Sequence, residues 1–106
     1  MENLKGFEKK YLRGLAHGQK PVVLIGQRGI TPSLLAAIHE ALDTHELIKI
    51  KFNEFKEKDE KAGACEEIQR ETGATLVGTI GHMAIFYRPQ NDPEKRNIVL
   101  PRQASG

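Results

Sequence analysis

The sequence predicts a compact α/β domain: a four-stranded mixed sheet with three helices, in the order α-β-α-β-α-β-β. Three observations carry the prediction. Residues 21–25, Pro21-Val22-Val23-Leu24-Ile25, form a short apolar run between two helical patterns. Residues 46–52 alternate, with Ile48, Ile50 and Phe52 to one side and Lys49 and Lys51 to the other. Residues 74–80 and 83–88 read as strands joined by Gly81-His82, a two-residue connection that suits a type II′ hairpin. A right-handed β-α-β crossover makes the first two strands parallel, and the closing hairpin makes the sheet mixed.

The first helix is read over residues 6–17. Leu4, Phe7, Tyr11 and Leu15 recur there at three- and four-residue steps, with Leu12 at the edge of the stripe. Lys5, Lys9 and Arg13 recur every four residues on a second arc, Lys10 widens it, and Glu8 interrupts the apolar side. His17-Gly18 supplies the stop. The unbroken apolar character of residues 21–25 points to a strand buried on both faces, as in the middle of a parallel sheet. Thr31-Pro32 combines an N-cap with proline at the first helical position. The second helix runs from there to about Thr44, with Leu34, Leu35, Ile38, Ala41, Leu42 and His45 inward. The alternating strand then presents one dry face and one basic face. The third helix, residues 58–72, is strongly charged, with Ala62, Cys65 and Ile68 as its inner stripe and Gly73 as its terminator. Beyond Pro89 the chain turns polar, and residues 98–100 dock against the body. The domain is expected to span residues 1–100, with 101–106 as a mobile tail.

Composition excludes several functions. At 106 residues, 39% hydrophobic and 28% charged, the chain is one globular domain able to bury a core without disulfides or metals. No apolar run reaches the length of a membrane span, and residues 1–6 lack the core of a signal peptide. Cys65 stands alone, which excludes an internal disulfide and fits a cytoplasmic location; its place in a core stripe marks an inert buried thiol. His17, His39, His45 and His82 match no zinc spacing, and His17 and His45 stand near helix ends, where a protonated ring offsets the helix dipole. No nucleophile elbow, Walker loop or dinucleotide fingerprint is present, and the carboxylates gather on a solvated helix without an acid–base partner. No catalytic, metal or cofactor site is expected, and no small-molecule substrate.

What remains is charge and a glycine loop. Net charge is only +2, but residues 1–30 carry Lys5, Lys9, Lys10, Arg13, Lys20 and Arg28 against Glu2 and Glu8. Residues 53–72 reverse the balance, with Glu54, Glu57, Asp59, Glu60, Glu66, Glu67 and Glu71 against Lys56, Lys58, Lys61 and Arg70. Such polarity suits one face for an anionic partner. Gly26-Gln27-Arg28-Gly29 lies between the first strand and the Thr31 helix start. Glycines let backbone approach a phosphodiester chain closely, a helix N-terminus adds amide donors, and Arg28 adds a permanent cation. The candidate RNA-binding residues are therefore Gly26, Gln27, Arg28 and Gly29 in the loop, with Lys9, Lys10 and Arg13 on the first helix. Lys20 before the first strand, Lys49 and Lys51 on the second, and Arg88 at the end of the last complete the set. The few aromatics show no paired surface pattern, so recognition is expected to use backbone, shape and phosphate contacts, with strong salt dependence.

Several segments resemble the CRM domain, and most closely the stand-alone bacterial YhbY family. They are Leu12-Arg13-Gly14-Leu15-Ala16-His17, the stretch from Lys20 to Thr31 around the glycine loop, His45-Glu46-Leu47-Ile48-Lys49-Ile50, Glu71-Thr72-Gly73-Ala74, and Ile80-Gly81 leading into Tyr87-Arg88-Pro89. The resemblance covers roughly residues 4–100. It implies an RNA-binding module with a fold similar to the C-terminal domain of bacterial translation initiation factor three and a G-x-x-G loop like that of KH domains. It also implies association with ribosomal RNA in precursors of the large subunit. Family members often carry lysine after the hairpin glycine, where this chain has His82. A different reading gives the working surface to the acidic third helix, as a protein-interaction accessory of the ribosome or translation machinery.

Overall fold

The first two helices start where a local rule puts them. In the computed structural model, which describes residues 4–26, 28–53 and 57–101, the first helix, α1, spans Gly6–Ala16. The Lys5 amide donates to Glu8 Oε1 at 2.8 Å. Glu8, which breaks the apolar stripe, therefore satisfies a backbone donor at the helix start. The residues that α1 buries are Leu12 and Ala16, with Leu4 packed beside them, whereas Tyr11 and Leu15 stay exposed. The stripe is rotated from the expected one, toward Leu12 and Ala16.

The second helix, α2, spans Pro32–His45 and begins as expected: Thr31 Oγ1 accepts the Leu34 amide at 3.1 Å, with proline at the first position. Its inner face is Ile38 and Leu42, flanked by Leu34 and Ala41; His45 is exposed, not inward. The third helix, α3, spans Lys58–Thr72 and ends at Gly73. It buries Cys65, Ile68 and Thr72, while Ala62 is exposed. Burial pushes the Cys65 thiol pKa up to about 11, an effect that the nearby Lys61 charge only partly offsets.

The strands are β1 (Val23–Ile25), β2 (Leu47–Phe52), β3 (Thr75–Ile80) and β4 (Met83–Tyr87), and the sheet order is β1-β2-β4-β3. β1 runs parallel to β2, while β4 runs antiparallel to both β2 and β3. Both crossovers, β1-α2-β2 and β2-α3-β3, advance in the same direction across the sheet. Right-handed crossovers of that kind place their helices on one face, and α2 and α3 share it. Ile25, Ile38, Leu42, Ile48, Ile50, Phe52, Cys65, Ile68 and Phe86 form that core. α1 lies on the other face, over Leu47, Val77, Ile85 and Tyr87. The domain thus has three layers.

β1 departs from expectation. It is an edge strand, not a central one: it pairs with β2 alone. Val23 and Ile25 face the α2 core, but Val22 and Leu24 are exposed. An apolar run has the same composition whether one or both of its faces are covered.

The chain beyond β4 is held by Glu46, a fully buried carboxylate at φ 62°. Its Oε2 accepts the Gln90 amide at 2.7 Å, and its Oε1 accepts the Asn97 and Ile98 amides at 2.6 and 3.1 Å. Ile98 and Leu100 then pack against the α1 core, with Val99 exposed between them. Residues 102–106, most of the expected tail, lie outside the described residues.

Candidate nucleic-acid interface

Gly26, Arg28 and Gly29 of the G-x-x-G segment follow directly on the end of β1, the two glycines half-buried. Gly29 donates its amide to the Gly26 carbonyl at 3.1 Å, which closes the turn, and Gly29 sits at φ 70°, where a Cβ would be strained. Arg28 is exposed at its tip, and Gln27 lies outside the described residues. Ile30 packs back on the α2 core and fixes where the turn leaves the body. The helix start contributes less than expected. Pro32 has no amide proton, and Thr31 already engages the Leu34 amide.

Strand pairing decides what lies near this turn. Ile25, the last residue before Gly26, is opposite Phe52. The Asn53 amide donates to the Ile25 carbonyl at 2.8 Å, and the Phe52 amide donates to the His82 carbonyl at 2.7 Å. The turn, the end of β2 and the β3–β4 hairpin therefore share one end of the sheet. The hairpin is the expected two-residue connection: Ile80 pairs with Met83, and Gly81 sits at φ 57°. Exposed His82 is thus at the same end as Arg28.

Lys49 and Lys51 project from the face of β2 opposite to its buried Ile48, Ile50 and Phe52. Lys51 is exposed and Lys49 half-buried. This is the face that α1 partly covers, since Leu47, of the same parity, lies in the α1 core. The expected basic face is thus apolar at its start and basic toward the turn. Exposed Lys10 and half-buried Lys9 stand on α1, on this side of the sheet.

Three of the candidate cations are placed differently. Arg13 lies across β3, its Nη1 donating to the Val77 carbonyl at 3.3 Å. Lys20 precedes β1, at the end of the strand away from the turn. Arg88 is used within the fold: Nη1 donates to the Thr72 carbonyl at 2.8 Å and meets His39 Nδ1 at 3.0 Å, while Nη2 donates to Asp43 Oδ1 at 2.6 Å. Because β4 runs antiparallel to β2, Arg88 follows the residue opposite Leu47, at the far end from Arg28.

Among the described residues no cluster of side chains is arranged to hold a metal ion, and no helix is long and apolar enough to cross a membrane. Leu24, exposed beside the basic strand, and Ile80, exposed on β3 beyond β4, were not among the residues singled out from sequence; strand parity around Val23 and Ile25 is the signal that finds Leu24.

This architecture belongs to the class of small α/β domains that carry a glycine turn at a helix start. More narrowly, the chain belongs to the CRS1/YhbY (CRM) domain family, whose model matches residues 4–88. It is 43% identical over 103 residues to an RNA-binding protein of Haemophilus influenzae, covering 97% of this chain and all of that one. It is 33% identical over 98 residues to YqeI of Bacillus subtilis, named as a probable RNA-binding protein, covering 92% of this chain and 99% of that one. The solution structure of SAV1595 from Staphylococcus aureus, a candidate RNA-binding protein, superposes with a TM-score of 0.78 at 34% identity, covering 93% of this chain and all of that one.

Proposed function

We propose that this is a non-catalytic, cytoplasmic RNA-binding protein that associates with ribosomal RNA in precursors of the large ribosomal subunit. The Gly26–Gly29 turn approaches the RNA backbone, and Arg28, Lys49 and Lys51, with Lys9 and Lys10 of α1, neutralise phosphates. The observation that carries this reading is the convergence, at one end of the sheet, of the exposed Arg28 turn and the Lys51 end of β2. A further support is that the acidic helix α3 packs on the sheet face opposite to Lys49 and Lys51, so the sheet separates its carboxylates from those two lysines. The names of the relatives favour RNA as the partner class.

Crosslinking in cells followed by sequencing of the attached RNA tests the biological partner. Fragments of large-subunit ribosomal RNA are expected; a scatter of messenger RNAs would refute it. In vitro, Arg28→Ala should weaken binding and reduce the salt slope by about one unit, the loss of roughly one phosphate contact. Charge reversal at Glu60, Glu67 and Glu71 should leave binding to naked RNA intact. Loss of ribosome association in that variant would move the working surface to α3.

A further inference from the structure

One row of paired residues crosses the whole sheet at the end that bears the turn. Leu24 of β1 is opposite Lys51 of β2, Lys51 is opposite Met83 of β4, and Met83 is opposite Ile80 of β3. Directly opposed residues of neighbouring strands share a face. This row faces away from the α2–α3 core, because its chain neighbours Ile25, Phe52 and Ala84 lie in that core. Helix α1 stops short of it. The next row inward pairs Lys49 with Ile85 and Ile85 with Gly78, and there α1 takes over: Ile85 is buried in its core and Arg13 lies on Gly78.

The row is therefore open. Leu24 is 63% exposed and Ile80 57% exposed, at the two edges, with exposed Lys51 and half-buried Met83 between them. The solvated face of a sheet normally alternates to polar residues. Here three of four positions are apolar, and the fourth is a cation.

We infer that this row seats the nucleobases of an unpaired RNA segment whose backbone the Gly26–Gly29 turn holds; the inference rests on the RNA-binding reading above. Charge favours a nucleic acid over an apolar protein face, since Lys51 stands within the row and Lys49 behind it. Continuity favours it too, since Leu24 is separated from Gly26 by Ile25 alone. Dimensions agree: three inter-strand steps span about 14 Å, and a four-stranded sheet face accommodates two or three bases. Aliphatic and thioether groups cover a base face without reading its edges, so every base is acceptable. Duplex RNA keeps its base faces stacked inside and offers the row nothing. The ligand class is thus single-stranded or loop RNA, recognised with little sequence preference.

The test uses the full chain, the double variant Leu24→Ser/Ile80→Ser, and Arg28→Ala. Both serines replace exposed side chains, and urea unfolding confirms that the fold is kept. Binding is measured by fluorescence anisotropy, as a function of salt, to a short unpaired RNA and to an abasic ribose-phosphate chain of equal length. The double variant should lose about tenfold on the base-bearing strand, the loss of partial apolar burial, with the salt slope unchanged. Its affinity for the abasic chain should not move. If the double variant binds the base-bearing strand as the parent does while Arg28→Ala weakens both probes, the row is not a base seat and the RNA-binding reading stands. If neither variant changes binding or slope, both fall. A dimer in sedimentation that Leu24→Ser/Ile80→Ser dissociates would assign the row to a second copy of the chain and overturn the inference.

Discussion

The Arg13 side chain lies flat on Gly78: a Cβ added to this glycine would stand 2.8 Å from Arg13 Cδ. The guanidinium reaches on to the Val77 carbonyl at 3.3 Å. Val77 and Gly78 fall where the β3–β4 register shifts, so the strand is irregular under the arginine. A stem of methylenes covering sheet while its charged head bonds backbone is packing as much as electrostatics.

The contact predicts a coupled pair. Gly78→Ala should cost about 1 kcal/mol in the parent chain, because the arginine stem must lift and its hydrogen bond to Val77 is lost. In an Arg13→Ala background the same change should be neutral or stabilising, since alanine suits a strand better than glycine does. A double-mutant cycle by urea unfolding reads the coupling. Additive effects would show that the arginine has no fixed place on the strand.

Arg88 should prove to be a residue of the fold. Its guanidinium joins α2, through His39 and Asp43, to the end of α3, through the Thr72 carbonyl. Asp43 is largely exposed, so the ion pair itself adds little. The bonds to the half-buried carbonyls matter more. Arg88→Ala should destabilise by about 2 kcal/mol, and Arg88→Lys should recover only part, because a point charge cannot replace the planar fork. The salt slope of RNA binding should stay at the parent value. A reduced slope with unchanged stability would return Arg88 to the interface.

These two arginines show where sequence stops being informative. Thr31-Pro32, Gly73 and Gly81-His82 act on their immediate neighbours, so helix starts, stops and the hairpin were legible, and the element order followed. Arg13 and Arg88 bond to partners 64 and up to 49 positions away, which no local pattern contains. The same holds for β1. Its apolar run is compatible with the centre or the edge of a sheet, and only the strand order, together with the limited reach of α1, leaves Leu24 in solvent. Lys49 and Lys51 were legible as one face because parity within a strand is local; their sharing of a sheet end with Arg28 required the parallel register of β1 and β2.

Stability should fall in alkali through Cys65. Burial raises its thiol from an ordinary 9.0 to about 11. Between those values the unfolded chain releases a proton that the folded chain retains, so unfolding becomes more favourable as pH rises. Below pH 9 the group contributes no slope. Tyr87, raised by burial and then by the Glu46 carboxylate, acts in the same direction above pH 10. Urea unfolding of the parent and Cys65→Ala, compared from pH 8 to about pH 11, isolates the thiol. The parent should lose more stability than the variant across that window; parallel curves would show the thiol to be solvated.

Glu46 should decide whether the chain beyond β4 stays on the body. It combines two costs, a buried carboxylate and a left-handed φ of 62°, which a non-glycine residue adopts only at about 1–3 kcal/mol. Three backbone amides, from Gln90, Asn97 and Ile98, offset them. Removing the side chain leaves those amides without their acceptor and retains the strain, so Glu46→Ala should be the most damaging change, at about 3 kcal/mol. Glu46→Gly loses the same bonds but relaxes the backbone, and should recover about 1 kcal/mol. Glu46→Gln keeps one acceptor oxygen and turns an amide donor toward another donor, which places it between the parent and glycine. Hydrogen exchange supplies the local readout. The amides of Gln90, Asn97 and Ile98 should exchange faster in every variant, ahead of those in β2 and β4. Exchange that accelerates uniformly across the sheet would mean that the clasp and the core open as one unit, and that Glu46 supports the fold as a whole, not the segment it binds.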